Sequence, residues 1–481
     1  MTQSPATSVP PATGSVAHDA SRPARQASCP APVAAGTRAT LAALCLAVLI
    51  AQIDTAVVNL GIQPIKTYFQ AGITAMQWVV DSYNLVYAAL LLSGGLVADL
   101  WGRKRAYLAG VLLFAGASIV CGVASNVGIL IAGRIAAGAG AALLTPATLA
   151  ILRVAWPDPA QRSRALGIWA ACNGLAFAIA PTLGGLLIAW FGWRSLFFVA
   201  VPVCLLALAL GWRSITESAD PADRHPDLPG QVLGALTLGG LTLAAIEARG
   251  HGTLALAALA VGVAALLMFR RTETRKGAAA MVPLSLLRIP DMRGAIIATV
   301  GMTSGMYGVL FLQPLVWLEL GTMTATQAGL ALMPMALVFL AISPLTGRLS
   351  QAVGAQLPAC AGVLVIGVGL LTIGWGAGHP AIALSETGLI LTGVGMGFAT
   401  GPLMGLAVGS APAARSGTAS ALINVARIAG AALGVAVLGT LYAAMRDPSA
   451  GLRLAVMCGG VLQIVCATAA WLITRPSRHP Q

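Results

Sequence analysis

The chain has 481 residues, of which 58% are hydrophobic and only 9% charged, with a formal net charge of +13. So few charges could not cover a soluble protein of this size, which indicates a polytopic membrane protein. The cations sit in short loops between apolar runs, so anionic lipid and topology account for them and no nucleic-acid partner is needed. Residues 1–37 are rich in Pro, Ala, Ser and Thr, cannot build a core, and are expected to form a disordered cytoplasmic tail. No cleavable signal peptide is expected, because the first apolar run starts only after Arg38 and continues into polar residues the mature protein would need. The eight cysteines are scattered without a CxxC pair, so neither disulfide nor metal chemistry is expected.

Runs long enough to span a bilayer, about 20 residues each, fall at 41–62, 77–98, 106–124, 128–151, 165–190, 195–212, 231–248, 252–269, 294–317, 328–346, 358–376, 381–408, 417–442 and 453–473. That makes fourteen, although 231–248 and 252–269 could instead form one re-entrant hairpin. With a cytoplasmic N-terminus, 21 of the 28 Lys and Arg residues fall inside. Five (Lys66, Arg194, Arg249, Arg446, Arg453) fall outside, and Arg134 and Arg427 lie within spans. A miscounted span would have scrambled that asymmetry. An even number of spans puts both termini in the cytoplasm. The expected organisation is a tail (1–37), a six-helix bundle (38–213), a linker with two inserted helices (214–292), a second six-helix bundle (293–474) and a short tail (475–481).

The first span contains Gln52, Asp54 and Asn59. At 100° per residue Gln52 and Asn59 share a face, and Asp54 lies nearly opposite. A carboxylate inside a span costs at least ~2.5–3.5 kcal/mol, which makes Asp54 a functional candidate unless it is solvated near an interface. Asp81, in Gln77-Trp78-Val79-Val80-Asp81-Ser82-Tyr83, is nearer the outer end, where a wet rim acid and a role in proton entry are both open. The second span runs into Gly95-Leu96-Val97-Ala98-Asp99-Leu100-Trp101-Gly102-Arg103-Lys104-Arg105. Its three cations hold a short loop inside, and its glycines permit close helix approach. Gly347 to Gly354 echoes this seven-residue glycine spacing in the second half, with Gln351 where Asp99 stood. Paired repeats of this kind build secondary transporters around a midplane site.

In the fourth span Gly133, Ala137, Gly140 and Ala141 share a face beside Arg134, whose guanidinium must find an acid, carbonyls or water. In the fifth, Gly174, Ala178, Pro181 and Gly185 share a face, and Pro181 predicts a kink with close packing. Gly393, Gly397, Gly401, Gly405 and Gly409 recur every four residues, a smooth ridge that suits packing at a moving interface. Ser420, Asn424 and Arg427 form a polar stripe in the thirteenth span. Glu247, Glu319 and Glu386 fall near span ends and suggest no special role.

These strings together resemble the major facilitator superfamily. The loop 95–105 is similar to its signature between the second and third spans, with Leu100 in place of an arginine and Val97 in place of a leucine. The Asp54-Thr55-x-Val57-Val58-Asn59 string and the 77–83 segment look like the fourteen-span drug:proton antiporters of that superfamily. The fourth-span string is similar to the motif whose arginine is associated with proton coupling, with Ala137 replacing a glutamine. Gly174 to Gly185, with Ala180 replacing a glycine, resembles the antiporter motif. The segment at 417–424 resembles that family's Gly-x-Ala-Ser-Ala-Leu-x-Asn.

The resemblance implies an all-α major facilitator fold with fourteen transmembrane helices, two six-helix bundles plus two inserted helices. It implies proton coupling through Asp54, Asp81 and Arg134, and a conformational latch at Gly95, Asp99, Gly102, Arg103, Lys104 and Arg105. The antiporter motif falls on Gly174, Pro181, Gly184 and Gly185, and the substrate cavity is expected to include Asn59, Asn173, Asn424 and Arg427. No Ser/His/Asp, zinc or Walker signature is present, and the five histidines lie in tails and loops, so carboxylates carry protons and an ion gradient supplies the energy. The expected function is proton-coupled export of amphipathic or lipophilic small molecules by alternating access. The alternatives are a dedicated exporter of one metabolite or antibiotic and, further off, a non-transporting membrane receptor. No enzyme activity and no cofactor are expected. The expected partners are a small-molecule substrate, protons and membrane lipid, around a monomer with a periplasmic adaptor as an optional addition. The expected location is the bacterial cytoplasmic (inner) membrane.

Overall fold

The computed structural model describes residues 38–219, 227–277, 284–378, 382–412 and 416–474, apart from the side chains at 92, 159, 160, 163, 170, 173, 174, 177, 178, 348, 351, 416 and 417. The expected tails 1–37 and 475–481 lie outside these residues.

Hydrocarbon cannot satisfy a backbone polar group, so each apolar run closes its own hydrogen bonds as a helix. The first half comprises α1 (Arg38–Phe69), α2 (Ile73–Trp101), α3 (Arg103–Gly122), α4 (Val127–Ala155), α5 (Pro159–Phe191), α6 (Ser195–Phe198) and α7 (Ala200–Ser214). The second half comprises α10 (Pro290–Glu319), α11 (Ala325–Val353), α12 (Gln356–Gly376), α13 (Ile382–Ser410), α14 (Ser416–Tyr442) and α15 (Pro448–Thr474). Between them lie α8 (Leu228–Glu247) and α9 (Gly252–Lys276). The short α6 continues into α7 as one rod over Ser195–Ser214, so the helices form fourteen rods in the order the apolar runs predict. Among the described residues twelve are long and apolar enough to cross a membrane; α2 bends by 53° between Ile73–Leu91 and Ser93–Trp101. Both α8 and α9 pass this test, which favours two full helices over a re-entrant hairpin.

Local chemistry starts and stops these rods. Asn126 accepts the Ile129 N–H at the head of α4, Asp158 accepts the Gln161 N–H at the head of α5, and Thr324 with Gln327 forms a reciprocal capping box on α11. Gly102 closes α2 at φ +116° and Gly354 closes α11 at φ +82°, so the glycine echo between the halves is realised in the backbone.

The two six-rod bundles face one another along α1, α2 and α5 on one side and α10, α11 and α14 on the other. The inserted pair lies over the seam between α2 and α14. Gln231 donates to the Ala89 carbonyl (3.1 Å), Thr440 donates to the Ala245 carbonyl (2.8 Å), and Arg249 donates to the Ala443 carbonyl. One end of the molecule carries the turn at Gly102, and the other carries the turn at Gly192.

Candidate functional site

Toward the Gly192 end the seam is tied shut. Lys66 of α1 pairs with Glu319 of α10 at 3.0 Å, and the Tyr442 hydroxyl of α14 donates to the other Glu319 oxygen at 2.8 Å. Gln77 of α2 donates to the carbonyls of Val435 (3.2 Å) and Ala436 (2.8 Å) on α14. Thr326 of α11 donates to the Gly185 carbonyl of α5 at 3.3 Å. A Cβ at Gly185 would meet the Ala325 carbonyl at 2.6 Å, so glycine is needed for α5 and α11 to meet this closely. Toward the Gly102 end the picture differs: around Gly401, Gly405 and Gly409 of α13, space is open to 4 Å. The bundles are therefore drawn together at one end, and at the other the α13 ridge stands uncovered.

Midway along the seam lies a narrow cleft of about 10 Å³, lined by Gln52 and Thr55 of α1, Asn84 and Tyr87 of α2, Tyr307 of α10, and Arg427, Ile428 and Ala431 of α14. Both bundles contribute. The Tyr87 hydroxyl donates to Thr145 Oγ1 at 3.1 Å. Among the described residues no carboxylate lies within ion-pair distance of Arg427.

The opposite face of α1 carries Asp54, turned away from the cleft as the helical angle requires. Asp54 Oδ2 meets the Arg134 guanidinium of α4 at 2.5 Å, and both side chains are 2% exposed. Arg134 also donates through Nε to the Val79 carbonyl (3.0 Å), and its guanidinium lies 4.5 Å from the centre of the Tyr83 ring. The Tyr83 hydroxyl in turn donates to the Ala51 carbonyl at 3.3 Å. Gly138 lets α4 reach this position, since a Cβ there would stand 2.5 Å from the Tyr83 carbonyl oxygen. Removing one partner of such a buried pair leaves an uncompensated charge, at a cost of roughly 3–5 kcal/mol.

Asp81 is the contrasting acid. It is fully buried, and neither carboxylate oxygen has a hydrogen-bond partner. An ionised carboxylate held dry without a partner is strongly disfavoured. Asp81 sits three residues before Asn84, so it lies about one turn of α2, roughly 5 Å of rise, from the cleft wall.

The loop at Gly102 is wrapped by the segment that follows α7. Asp99 pairs with Arg103 at 2.8 Å. The Glu217 carboxylate accepts the Lys104 N–H (3.1 Å) and the Arg105 N–H (3.2 Å) at the head of α3, and Arg103 N–H donates to the Ser218 carbonyl at 2.9 Å. Lys104 Nζ donates to the Trp212 carbonyl at 2.7 Å. A carboxylate at a helix N-terminus satisfies orphan N–H groups and complements the dipole.

The remaining sequence candidates fall as follows. Asn59 is buried beyond Thr55 and donates back to the Thr55 and Ala56 carbonyls of its own helix, leaving its Oδ1 without a partner. Asn424 is half-buried and donates to the Ser420 carbonyl at 3.0 Å. Pro181 packs its carbonyl against Gly329 of α11, and Gly184 packs against Val57 of α1. Gly95 faces Pro146 of α4. Asn173 and Gly174 lie outside the described side chains. Sequence reasoning missed Gln52 as a cleft residue beside Thr55 and Tyr307. It also passed over Lys66, Glu319 and Glu217, whose partners lie far away in the chain. For Glu319 the signal was an acid at a span end in one half and a lysine at the matching end of the other.

Two helical bundles meeting over a midplane cleft, with ionisable groups buried beside it, define the class of polytopic membrane carriers. Residues 44–435 match the Major Facilitator Superfamily, and the chain belongs to that family. The chain is 34% identical over 411 residues to the multidrug resistance protein Stp of Mycobacterium tuberculosis (strain CDC 1551 / Oshkosh), covering 84% of this chain and 76% of that one. It is 32% identical to the multidrug efflux pump LfrA of Mycolicibacterium smegmatis (84% and 80% covered) and 29% identical to the methylenomycin A resistance protein of Streptomyces coelicolor (91% and 93% covered). Its fold matches a bacterial homolog of the human lysosomal transporter Spinster in an inward-facing, unoccupied conformation, with TM-score 0.66, 18% identity, and 91% and 96% of the two chains covered. An auto-inhibited POT family peptide transporter matches at TM-score 0.68 and 15% identity, with 92% and 98% covered. The family and these relatives are transporters.

Proposed function

We propose that this protein exports amphipathic small molecules across a bacterial cytoplasmic membrane in exchange for protons, with both termini and the Gly102 end in the cytoplasm. Its relatives Stp and LfrA carry multidrug names, which supports export as the direction. The observation that carries the coupling is the contrast between two buried acids. Asp54 has its charge balanced by Arg134, whereas Asp81 has no partner and can be dry only with a proton on it.

The ties at the Gly192 end and the uncovered α13 ridge at the Gly102 end support reading this state as the one open toward the cytoplasm. An exporter that has released its cargo outside returns to this state carrying its proton, and Asp81 is where that proton rides. Opening of the cleft admits water within one turn of Asp81 and favours its ionisation. Arg134 stays paired with Asp54 until the seam rearranges. Asp99 and Arg103, with Glu217 over the head of α3, latch the cytoplasmic loop, and such a latch works only if its contacts differ between the two states. A dedicated exporter of one metabolite or antibiotic is the second reading, favoured by the relative named a methylenomycin A resistance protein.

The test uses protein reconstituted in proteoliposomes with an imposed pH gradient and a panel of fluorescent amphipaths of both charges. At least one probe should accumulate, and a protonophore should collapse that accumulation. D81N should lower gradient-driven accumulation at least tenfold while still exchanging the probe at equal pH, and D54N, which leaves Arg134 uncompensated, should lose accumulation and melt at a lower temperature. Accumulation that ignores the protonophore, or that proceeds at the parent rate in both variants, would sink the reading.

A further inference from the structure

We infer that the side chains lining the midplane cleft select amphipaths bearing a negative charge, such as organic carboxylates or acidic phenols, over organic cations of the same size. The inference rests on the reading of this cleft as the substrate site, and it adds the charge class of the cargo.

The cleft contains one formal charge, the Arg427 guanidinium, and no acid. Gln52, Thr55 and Asn84 supply neutral polar groups, and Tyr87 and Tyr307 supply ring surface from opposite bundles. An arginine cannot shed its proton, so the positive charge stays at every physiological pH. The acids that might have balanced it are committed elsewhere. Asp54 projects from the other face of α1 and is already paired with Arg134. Asp81 is enclosed and does not line the cleft. A cation entering here would meet a half-buried guanidinium with no counter-charge. An anion would take up to two charge-assisted hydrogen bonds from the guanidinium fork. The Tyr87 hydroxyl is engaged with Thr145, so that side chain offers its ring rather than its donor, which suits a flat apolar body carrying an acidic head. The cleft as described has room for about one water, about 10 Å³, so cargo is admitted only as the bundles part around these side chains.

The consequence for energetics is chemical. One proton entering for one anion leaving moves two charges in the same sense, so the membrane potential assists export of an anion. For a monovalent cation exchanged one-for-one, the charges cancel.

The experiment is calorimetric binding to the purified full chain at constant pH, without any gradient, of 1-naphthoate, 1-naphthylmethanol and 1-naphthylmethylammonium. The expected order is naphthoate tightest, by tenfold or more over the ammonium probe. R427Q should weaken naphthoate at least tenfold and leave naphthylmethanol within about threefold, and R427K should restore most of the naphthoate affinity. Should R427Q fail to fold, the three-probe ranking of the parent still decides. Equal or tighter binding of the ammonium probe, a uniform loss across all three probes in R427Q, or no naphthoate binding at all overturns the inference. Binding is measured without a gradient, so failure of proton coupling would leave this ranking intact. Gradient-driven export of cations alone would overturn the inference and leave the exchange reading standing.

Discussion

Lys66 at the end of α1 and Glu319 at the end of α10 meet at 3.0 Å across the seam, and Tyr442 of α14 holds the second Glu319 oxygen. Three rods from two bundles are thus pinned at the Gly192 end by one carboxylate. Both charged side chains are about a quarter exposed (24% and 27%), so the pair is screened and contributes only about 0.2–1 kcal/mol. That is small for stability but enough to shift a two-state equilibrium roughly 1.5- to 5-fold. E319Q is therefore expected to raise the population open at the Gly192 end by such a factor with little change in melting temperature. Spin-label distances across the Gly192 end, measured with and without the substitution, check this. An unchanged distance distribution would mean that Gln77 and the α5–α11 contact hold the gate without help.

Asp227 makes a prediction about pH. It caps α8, accepting the Gly230 N–H at 2.8 Å, and pairs with Lys276 at the end of α9, so it joins the two inserted helices at their Gly102 end. Burial pushes its carboxyl up, but the Lys276 ammonium, the Gly230 N–H and a hydrogen bond with the Glu273 side chain together outweigh that and hold it below the usual carboxylate range. A carboxyl depressed in the folded state contributes stability above its unfolded value, about 3.9, and loses it as pH falls toward the folded value. Amide exchange in the first turn of α8 should accordingly be flat from pH 8 to about 4 once intrinsic rates are divided out, then rise below. D227N should raise exchange there already at pH 7, by the roughly 0.5–2 kcal/mol of a lost cap. A profile in the parent that breaks near pH 6 would point to a different titrating group.

Much of this architecture was legible in the chain because hydrocarbon leaves a backbone few options. Apolar runs had to become helices, and loop cations had to fall on one side. The intramembrane charges were visible for the same reason, since Asp54 and Arg134 are costly wherever they sit. Their pairing was not visible. A helical wheel places Asp54 on its own helix but cannot say which of the neighbouring helices it meets, and Arg134 lies 80 residues away. The stripe at Ser420, Asn424 and Arg427 was read as a unit, yet Asn424 spends its amide on its own helix, and of the three only Arg427 lines the cleft. Glu319, expected to have no special role, pairs across the seam, and the roles of Lys66, Gln77 and Glu217 were equally hidden, because they depend on how one bundle docks on the other, or how a linker folds back, and no periodicity encodes that.

The glycine ridge of α13 divides into two halves with opposite consequences. Gly393 packs on α11, where a Cβ would stand 2.2 Å from the Met335 carbonyl oxygen, whereas Gly405 has nothing within 4 Å. G393A must push backbone from backbone, which is expected to destabilise the protein by about 1–3 kcal/mol, the usual cost of overpacking. G405W should fold normally in the conformation described, because the space is empty and substitutions at such sites are typically within about 0.5 kcal/mol. Transport is a different matter. On the reading that the seam shuts at the Gly102 end, this uncovered ridge receives another helix, and small residues allow that closeness. G405W is expected to melt within a degree or two of the parent and bind substrate from the cytoplasmic side, while transporting at least tenfold more slowly. Melting curves, equilibrium binding and proteoliposome flux on the one variant measure all three. Flux at the parent rate would show that the ridge stays open throughout the cycle and that closure uses another surface.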